Sequence, residues 1–596
     1  MTIVKLVRTL VVVCIALAAG LARADDSLSS SAAASPTFAQ RVDLTPLGRV
    51  AVHAEGRLKS LGSHANTFMQ FVSGPRKIAG QDPLFTYIDM MLRPEAYDDA
   101  DIIYVKNRQV REQIASTVEQ AHPDLADRMK AFRATGLTSP AILRGQELVP
   151  VFRTLEADLV RTAKQMDELR SAQAVADARF LLSKLLMVPP AGGRFEDRWH
   201  GIEEVMFVPG KTPGSDRLAL IAAPREGVDP SKGVEGLDPA LQSNVADAWR
   251  TLVNAWLAQD APGVTAASTQ LAELLPKLAS GSDIYPDQSR LSWEYWYFQK
   301  DQLTSGWLVY MGSVILLLLG LVYRWPWARR LGIAVFLVAF AIQTFALMLR
   351  WYIAARWPNS NMFEAVTTAS WFGACAAIVI EILVRKSPMR SLFFLGSAAA
   401  SMVALMTAHF LPVYLNPNIS NMMPVLHDVW LYIHTNVIIF SYCLIFMAAV
   451  SATCYVVWRA IGGGGAVYAR VGGAGSLVLA GGPPTKSGAA RSAPMLGEVL
   501  DGVTMVLMEL SFVLLWAGIV MGAIWADHSW GRPWGWDPKE VFALNTFVVF
   551  ALLVHVRLKV KDKGLWTAIL AIGGAGVMLF NWIVINFIIT GLHSYA

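Results

Sequence analysis

Between Trp525 and Glu540 the chain reads Trp-Ala-Asp-His-Ser-Trp-Gly-Arg-Pro-Trp-Gly-Trp-Asp-Pro-Lys-Glu, with Trp525, Trp530, Trp534 and Trp536 inside twelve positions. A single tryptophan near a bilayer surface needs no special account, because its amphipathic ring favours the headgroup layer. Four so close together ask for a flat apolar partner. Large rings are costly to order in a loop unless their faces cover something, and a porphyrin is such a partner. The end of the stretch also has a structural reading: Asp537 as N-cap, Pro538 in the first turn and Glu540 three residues after the cap make a helix-start signature. On that reading Asp537 fixes the loop and the tryptophans carry its function.

Six of the ten histidines lie beyond residue 300, at 409, 427, 434, 528, 555 and 593. Ionisable residues are expensive inside a membrane, so each is a site candidate until an ordinary partner is found. His434 sits in Trp430-Leu-Tyr-Ile-His434 at the start of one apolar stretch, and His593 in Gly591-Leu-His593-Ser-Tyr just past the end of the last. Two neutral imidazoles facing each other across a gap can hold haem iron axially, and the pair flanks the tryptophan loop in sequence. The plainer alternative for either one is a hydrogen-bonded interfacial histidine. His555 falls ~26 Å along a helix counted from Pro538, so it belongs to a different depth. It reads either as a partner of Glu381 or Glu509 or as an inner station for the same ligand. Glu364 reads as a complement to the dipole of the helix it starts.

These residues need elements to position them. Of 596 residues, 54% are hydrophobic and 16% charged, and mean hydropathy is +0.41, so much of the chain must face lipid. A net charge of +5 over this length does not indicate nucleic acid. The four cysteines, Cys14, Cys375, Cys443 and Cys454, all lie in apolar runs, which excludes a disulfide framework or zinc knuckle; without a Cys-x-x-Cys-His the chain is not itself a c-type cytochrome. Lys5, Arg8, a short apolar core and Ala22-Arg23-Ala24 read as a signal peptide over residues 1–24. Residues 25–300 have soluble composition and read as a mainly α extracytoplasmic domain. Within it 151–186 forms one long or two serial helices, Glu204–Val208 and Arg217–Ala222 are candidate strands, and His53, His64, His122 and His200 are surface residues.

From 301 to 596 come about eight apolar stretches long enough to span a bilayer: 304–323, 331–350, 362–384, 391–411, 431–459, 506–526, 541–557 and 566–589. Fourteen Lys and Arg residues fall in one alternate set of loops and four in the other, which puts the tryptophan loop and residues 25–300 outside the cytoplasm. Residues 460–495, rich in Gly, Ala and Ser, read as a flexible cytoplasmic linker. The fold class is thus an α-helical polytopic membrane protein with an N-terminal extracytoplasmic domain.

The membrane half resembles the WWD family of haem-handling proteins, and within it the CcsA (ResC) component of the system II cytochrome c synthase. The likeness runs through Arg350-Trp-Tyr, Asn361-Met-Phe-Glu364, Trp430-Leu-Tyr-Ile-His434, Gly522-Ala-Ile-Trp525, Trp530-Gly-Arg-Pro-Trp534-Gly-Trp536-Asp537-Pro-Lys-Glu540, His555-Val-Arg557 and Gly591-Leu-His593-Ser-Tyr. It implies a multi-pass protein of the bacterial inner membrane that moves haem b, its substrate, to an external site. There His434 and His593 would be axial ligands, Trp525, Trp530, Trp534, Trp536 and Asp537 the cradle, and His555 an intramembrane histidine. Thiols of a Cys-x-x-Cys-His segment of apocytochrome c would then add to the haem vinyl groups, so the enzyme acts as a haem lyase by positioning. The resemblance further implies a ResB (CcsB)-like membrane subunit, since no histidine occurs in 301–408 to serve as the family's second intramembrane ligand. Residues 25–300 share the likeness only weakly, at Gly56-Arg-Leu-Lys59 and Trp293-Glu-Tyr-Trp-Tyr297. Alternatives are a haem exporter or chaperone without ligation activity, a quinone-linked membrane cytochrome subunit, and an assembly scaffold.

Overall fold

The computed structural model describes residues 36–585 except 75–76, 79, 159–161, 193–196, 206–232, 280–283, 387–388, 422–427 and 462–495. The signal peptide, nearly all of the 460–495 linker, His427 and His593 lie outside the described residues. The chain divides into two compact units, one of Arg23–Lys300 with Asn418–Asn421, the other of Asp301–Pro417 with Met422–Ala596.

The first unit is mainly α, as its composition predicts. Its longest helices are Pro239–Leu257 and Ala261–Leu278, which pack on each other around Val245, Trp249, Leu252, Trp256, Val264 and Leu271. Two short antiparallel strand pairs complete it, a hairpin of Ala51–Ala54 with Arg57–Ser60 and a pairing of Ile103–Tyr104 with Leu137–Thr138. Three expectations are corrected. The periodic stretch 151–186 forms three helices, Val149–Ala157, Ala163–Val175 and Ala178–Ser183. Thr162 turns its hydroxyl back to the Leu155 carbonyl at 2.6 Å, and Asp177 caps the third helix. Glu204, expected in a strand, lies in the helical turn Ile202–Val205, and the rest of both candidate strands is outside the described residues. His64 is fully buried rather than on the surface. Burial, with Lys59 and Lys184 nearby, pushes its pKa well below the ordinary histidine value.

The stretches Gly56–Lys59 and Trp293–Tyr297 meet inside this unit. Arg57 donates to the buried Glu294 carboxylate at 2.5 Å, and the Ser60 amide donates to its other oxygen at 3.2 Å.

Among the described residues the second unit holds eight α-helices, at the eight places the apolar runs mark: α1 Trp307–Val322, α2 Pro326–Ala354, α3 Met362–Leu383, α4 Leu392–Phe410, α5 Val429–Ala460, α6 Leu496–Trp530, α7 Pro538–Lys559 and α8 Lys563–Phe580. Among the described residues, seven are long and apolar enough to cross a membrane. α7, at 22 residues, is also long enough to span. Helices satisfy every backbone group internally, which is what a lipid environment demands.

α5 and α6 form the most extensive helix pair. Small residues let the helices approach: Ala374, Ala377, Ala398, Ala448 and Ala571 sit in the shared core with Phe336, Phe393 and Leu444. Interhelical hydrogen bonds add to this packing. Ser441 donates to the Ser511 carbonyl at 2.9 Å, and Gln343 of α2 links Tyr310 of α1, at 2.6 Å, to Ser370 of α3, at 2.8 Å.

Candidate functional site

Asp428 starts α5 by accepting the Trp430 amide at 2.6 Å, which sets His434 one turn into the helix. Its Nδ1 lies 3.1 Å from the Trp430 carbonyl oxygen. A carbonyl only accepts, so Nδ1 carries the proton and Nε2 the lone pair, the tautomer that ligates a metal through Nε2. The imidazole stacks on Trp525 of α6 with ring centroids 5.6 Å apart and planes 28° apart. α6 comes this close because position 522 is glycine: a Cβ there would meet His434 Cδ2 at 3.3 Å, and one at Gly518 would overlap Ile438.

Trp525 is buried near the end of α6, and Trp530 is its last residue. The connecting loop is therefore shorter than the 525–540 span expected, running from Gly531 to Asp537. Gly531, at φ 67°, ends the helix in the left-handed conformation that glycine adopts without strain, its amide donating to the Asp527 carbonyl. Trp536 also sits at φ 56°, which is costly for a bulky side chain. The start of α7 holds it there: Glu540 accepts the Gly535 amide at 2.8 Å and the Asp537 amide at 3.2 Å, while the Asp537 carboxylate caps the first turn. The helix-start signature thus forms a complete capping box.

These elements surround a cavity of about 290 Å³. Its walls include His434, Thr435 and Ile438 of α5, Gly518, Gly522 and Trp525 of α6, Trp534 in the loop, Lys539 and Glu540 of α7, Asn359–Met362 before and at the start of α3, and Asn581 with Trp582. Most of the wall is apolar. Tyr442 lies deeper, where its hydroxyl accepts from Asn581 Nδ2 at 2.8 Å. Asn581 opens a turn of π-helix, Asn581–Ile585, a geometry common at functional sites. A second apolar cavity of about 110 Å³ shares Ala365, Ile439, Tyr442 and Trp582 with the first.

Of the residues singled out from sequence, the structure brings His434, Trp525 and Trp534 to one cavity. Trp530 and Trp536 lie beside it in edge-to-face pairs with Trp525 and Trp534, 40% and 73% exposed, and do not line it. Asp537 is buried as the cap of α7 and also stands outside the lining. His555 is exposed near the far end of α7, its Nδ1 2.8 Å from the Ala551 carbonyl, while Glu381 accepts the Phe393 amide at 3.2 Å. The anticipated His555–Glu381 contact is not among the described interactions.

The sequence reading missed Asn359, Thr435, Gly518, Tyr442, Asn581 and Trp582. One signal for them was present: Gly518-Ile-Val-Met-Gly522 is the small-x-x-x-small spacing that lets two helices touch. Among the described residues no three His, Cys, Asp or Glu side chains cluster as a metal site. The arrangement instead places one imidazole in the wall of an apolar cavity that tryptophans also line.

The fold and this site define a multi-helix membrane protein with an imidazole beneath a tryptophan loop, and comparison with known proteins gives the family. Residues 359–593 match the model of the cytochrome C assembly protein family. The chain is 31% identical over 304 residues to the cytochrome c biogenesis protein CcsA of Parasynechococcus marenigrum (strain WH8102), covering 48% of this chain and 94% of that protein. It is 30% identical to CcsA of Thermosynechococcus vestitus (strain NIES-2133 / IAM M-273 / BP-1), covering 50% of this chain and 99% of the relative. The protein NrfI of Wolinella succinogenes is 25% identical over 568 residues, which is 92% of this chain and 54% of NrfI, so the chain spans about half of that relative's length. The chain belongs to the cytochrome c assembly family of CcsA-type biogenesis proteins.

Proposed function

We propose that this protein receives haem b as its substrate and presents it, with His434 as one axial ligand of the iron, for covalent attachment to apocytochrome c. The observation that carries the reading is the His434 geometry: Nδ1 hydrogen-bonded to the Trp430 carbonyl, the ring stacked on Trp525, and the imidazole lining an apolar cavity that Trp534 also walls. His593 is the second axial ligand, and Trp530, Trp536 and Asp537 shape the loop above the site. His555 serves an inner station at the far end of α7, completed by a ResB (CcsB)-like membrane subunit.

In the reaction each thiol of the Cys-x-x-Cys-His segment adds across one vinyl double bond. A sulfur–carbon bond forms at the vinyl carbon next to the ring, the proton goes to the outer carbon, and no electrons are exchanged. The protein's residues hold the reactants in place, and such placement alone raises the effective concentration of the thiols by orders of magnitude. Two imidazoles keep the iron six-coordinate until the histidine of the acceptor segment replaces one of them. The protein works in the bacterial inner membrane, with residues 25–300 and the tryptophan loop outside the cytoplasm, as the unequal distribution of Lys and Arg between alternate loops supports.

The test is reconstitution of a c-type cytochrome in a bacterial host lacking its own maturation system. Expression of this chain with its partner subunit should yield an exported cytochrome with haem that survives denaturing electrophoresis. Haem bound to this chain without any such product would make it an exporter rather than a lyase component.

A further inference from the structure

Arg350 and Glu364 do not line the cavity described above, yet with Arg356 they form a heavily engaged buried charge cluster of the second unit. Glu364 is wholly buried. Its Oε1 accepts from Arg350 Nε at 2.9 Å and Nη2 at 2.8 Å, and its Oε2 from Arg356 Nη1 at 2.9 Å, the Ser360 amide at 2.7 Å and the Ser360 hydroxyl at 3.0 Å. Burying such ions costs desolvation that their attraction only partly repays, so a buried ion pair is weak evidence for stability, and its best-attested use is to fix a register. What it fixes here is the segment 355–361 between α2 and α3. The left-handed turn at Ala355 ends α2, the ion pairs hold the segment at Arg356 and Ser360, and the Pro358 carbonyl accepts the Thr368 hydroxyl at 3.1 Å.

The same segment is tied to α5 right beside the candidate ligand. Trp357 Nε1 donates to Asn436 Oδ1 at 3.1 Å, and Asn359 Nδ2 lies 3.4 Å from the Thr435 hydroxyl. Thr435 and Asn436 are the two residues that follow His434. Their side chains also bond back to Leu431 and Tyr432 carbonyls of their own helix at 2.6 Å each, so a pull on them is a pull on the helix. α5 is therefore held from one side by this segment and from another by the glycine face of α6. Its rotation about its own axis decides where the His434 imidazole points.

We propose that Glu364 is a positioning residue for His434: by clamping Arg350 and Arg356 it holds Trp357 and Asn359 on Asn436 and Thr435, and so fixes the rotation of the helix that carries the imidazole. The proposal rests on the reading of His434 as an iron ligand. It differs from a simple helix-dipole role for Glu364, which would affect the stability of α3 and leave the ligand field of bound haem unchanged.

The experiment titrates ferric haem into the detergent-purified full chain and into Glu364→Gln, Trp357→Phe and His434→Gly, reading the low-spin and high-spin absorption bands with and without added imidazole. Size-exclusion profiles check that each variant is intact. Both Glu364→Gln and Trp357→Phe should convert at least half of the bound haem from low to high spin, and imidazole should restore the low-spin bands. A wild-type spectrum in both, alongside a lost low-spin signal in His434→Gly, overturns the positioning role and leaves ligation standing. An unchanged spectrum in His434→Gly overturns the ligation reading itself. Should Glu364→Gln fail to purify, Trp357→Phe decides alone, because it removes one donor and leaves the ion pairs intact; a wild-type spectrum there refutes the proposal.

Discussion

His434 is held at three points: the Trp430 carbonyl fixes its tautomer, Trp525 its ring plane, and the hydrogen at Gly522 the space it occupies. The third point gives a sharp prediction. Gly522→Ala places a methyl 3.3 Å from the ring, a contact a small shift relieves, whereas Gly522→Val adds two further carbons against the imidazole. Overpacking of this kind costs about 1–3 kcal/mol. Gly522→Val should therefore lower haem affinity at least several-fold, with Gly522→Ala close to wild type, measured by equilibrium haem titration. At this scale the sequence disclosed the residues with unusual chemistry, His434 and the tryptophans, because an imidazole or a cluster of indoles near a membrane is conspicuous. It did not disclose Thr435, Asn359 or Tyr442, whose roles depend on which helix they meet. Nor did it separate Trp534, which lines the cavity, from Trp536, which stands clear of it on a left-handed backbone.

Among the elements, the start of α7 bears the geometry of the tryptophan loop. Replacing an N-cap residue by alanine costs ~1 kcal/mol in ordinary helices. Here the same cap also holds Trp536 in a strained conformation, so Asp537→Ala should both destabilise the helix start and release the loop. Hydrogen exchange at the amides of 539–541 should accelerate at least about fivefold, the factor that corresponds to a lost cap; unchanged protection would contradict the account. In the first unit, the turn Ile202–Val205 carries a second test. Burial opposes ionisation of Glu204, but bonds from His200 and the Gly201 amide, with the charges of His200 and Arg198, hold its pKa at about 2. A carboxyl depressed in this way contributes stability above its ordinary value of 4.5 and loses it as pH falls toward about 2. Glu204→Gln should thus lower the unfolding temperature at pH 7, and the gap to wild type should close between pH 4.5 and pH 2. The long helices of the second unit were legible because lipid permits few alternatives to a long apolar helix. The breaks at Thr162 and Asp177 were not, since the apolar periodicity runs through them and only hydrogen bonds to the local backbone interrupt the helix.

For the whole molecule, the proposed arrangement in the bilayer rests on the distribution of basic residues. Single cysteines introduced at Gly531 and at Lys77, in a background without the native cysteines, should react with a membrane-impermeant thiol reagent in intact spheroplasts, and one at Lys561 only after lysis. The reverse pattern would invert the molecule and place the His434 cavity on the cytoplasmic side. The family match and the similarity to NrfI over most of the chain concern the molecule at this scale, and they agree with the multi-helix fold read from composition.

The central claim is that His434 binds haem iron, and it is tested most directly by the electron paramagnetic resonance spectrum of the ferric haem protein. Wild type should give a low-spin signal of two imidazole ligands, His434→Gly a high-spin signal, and His434→Gly with added imidazole the low-spin signal again. A low-spin bis-imidazole spectrum that persists in His434→Gly without imidazole would contradict the account.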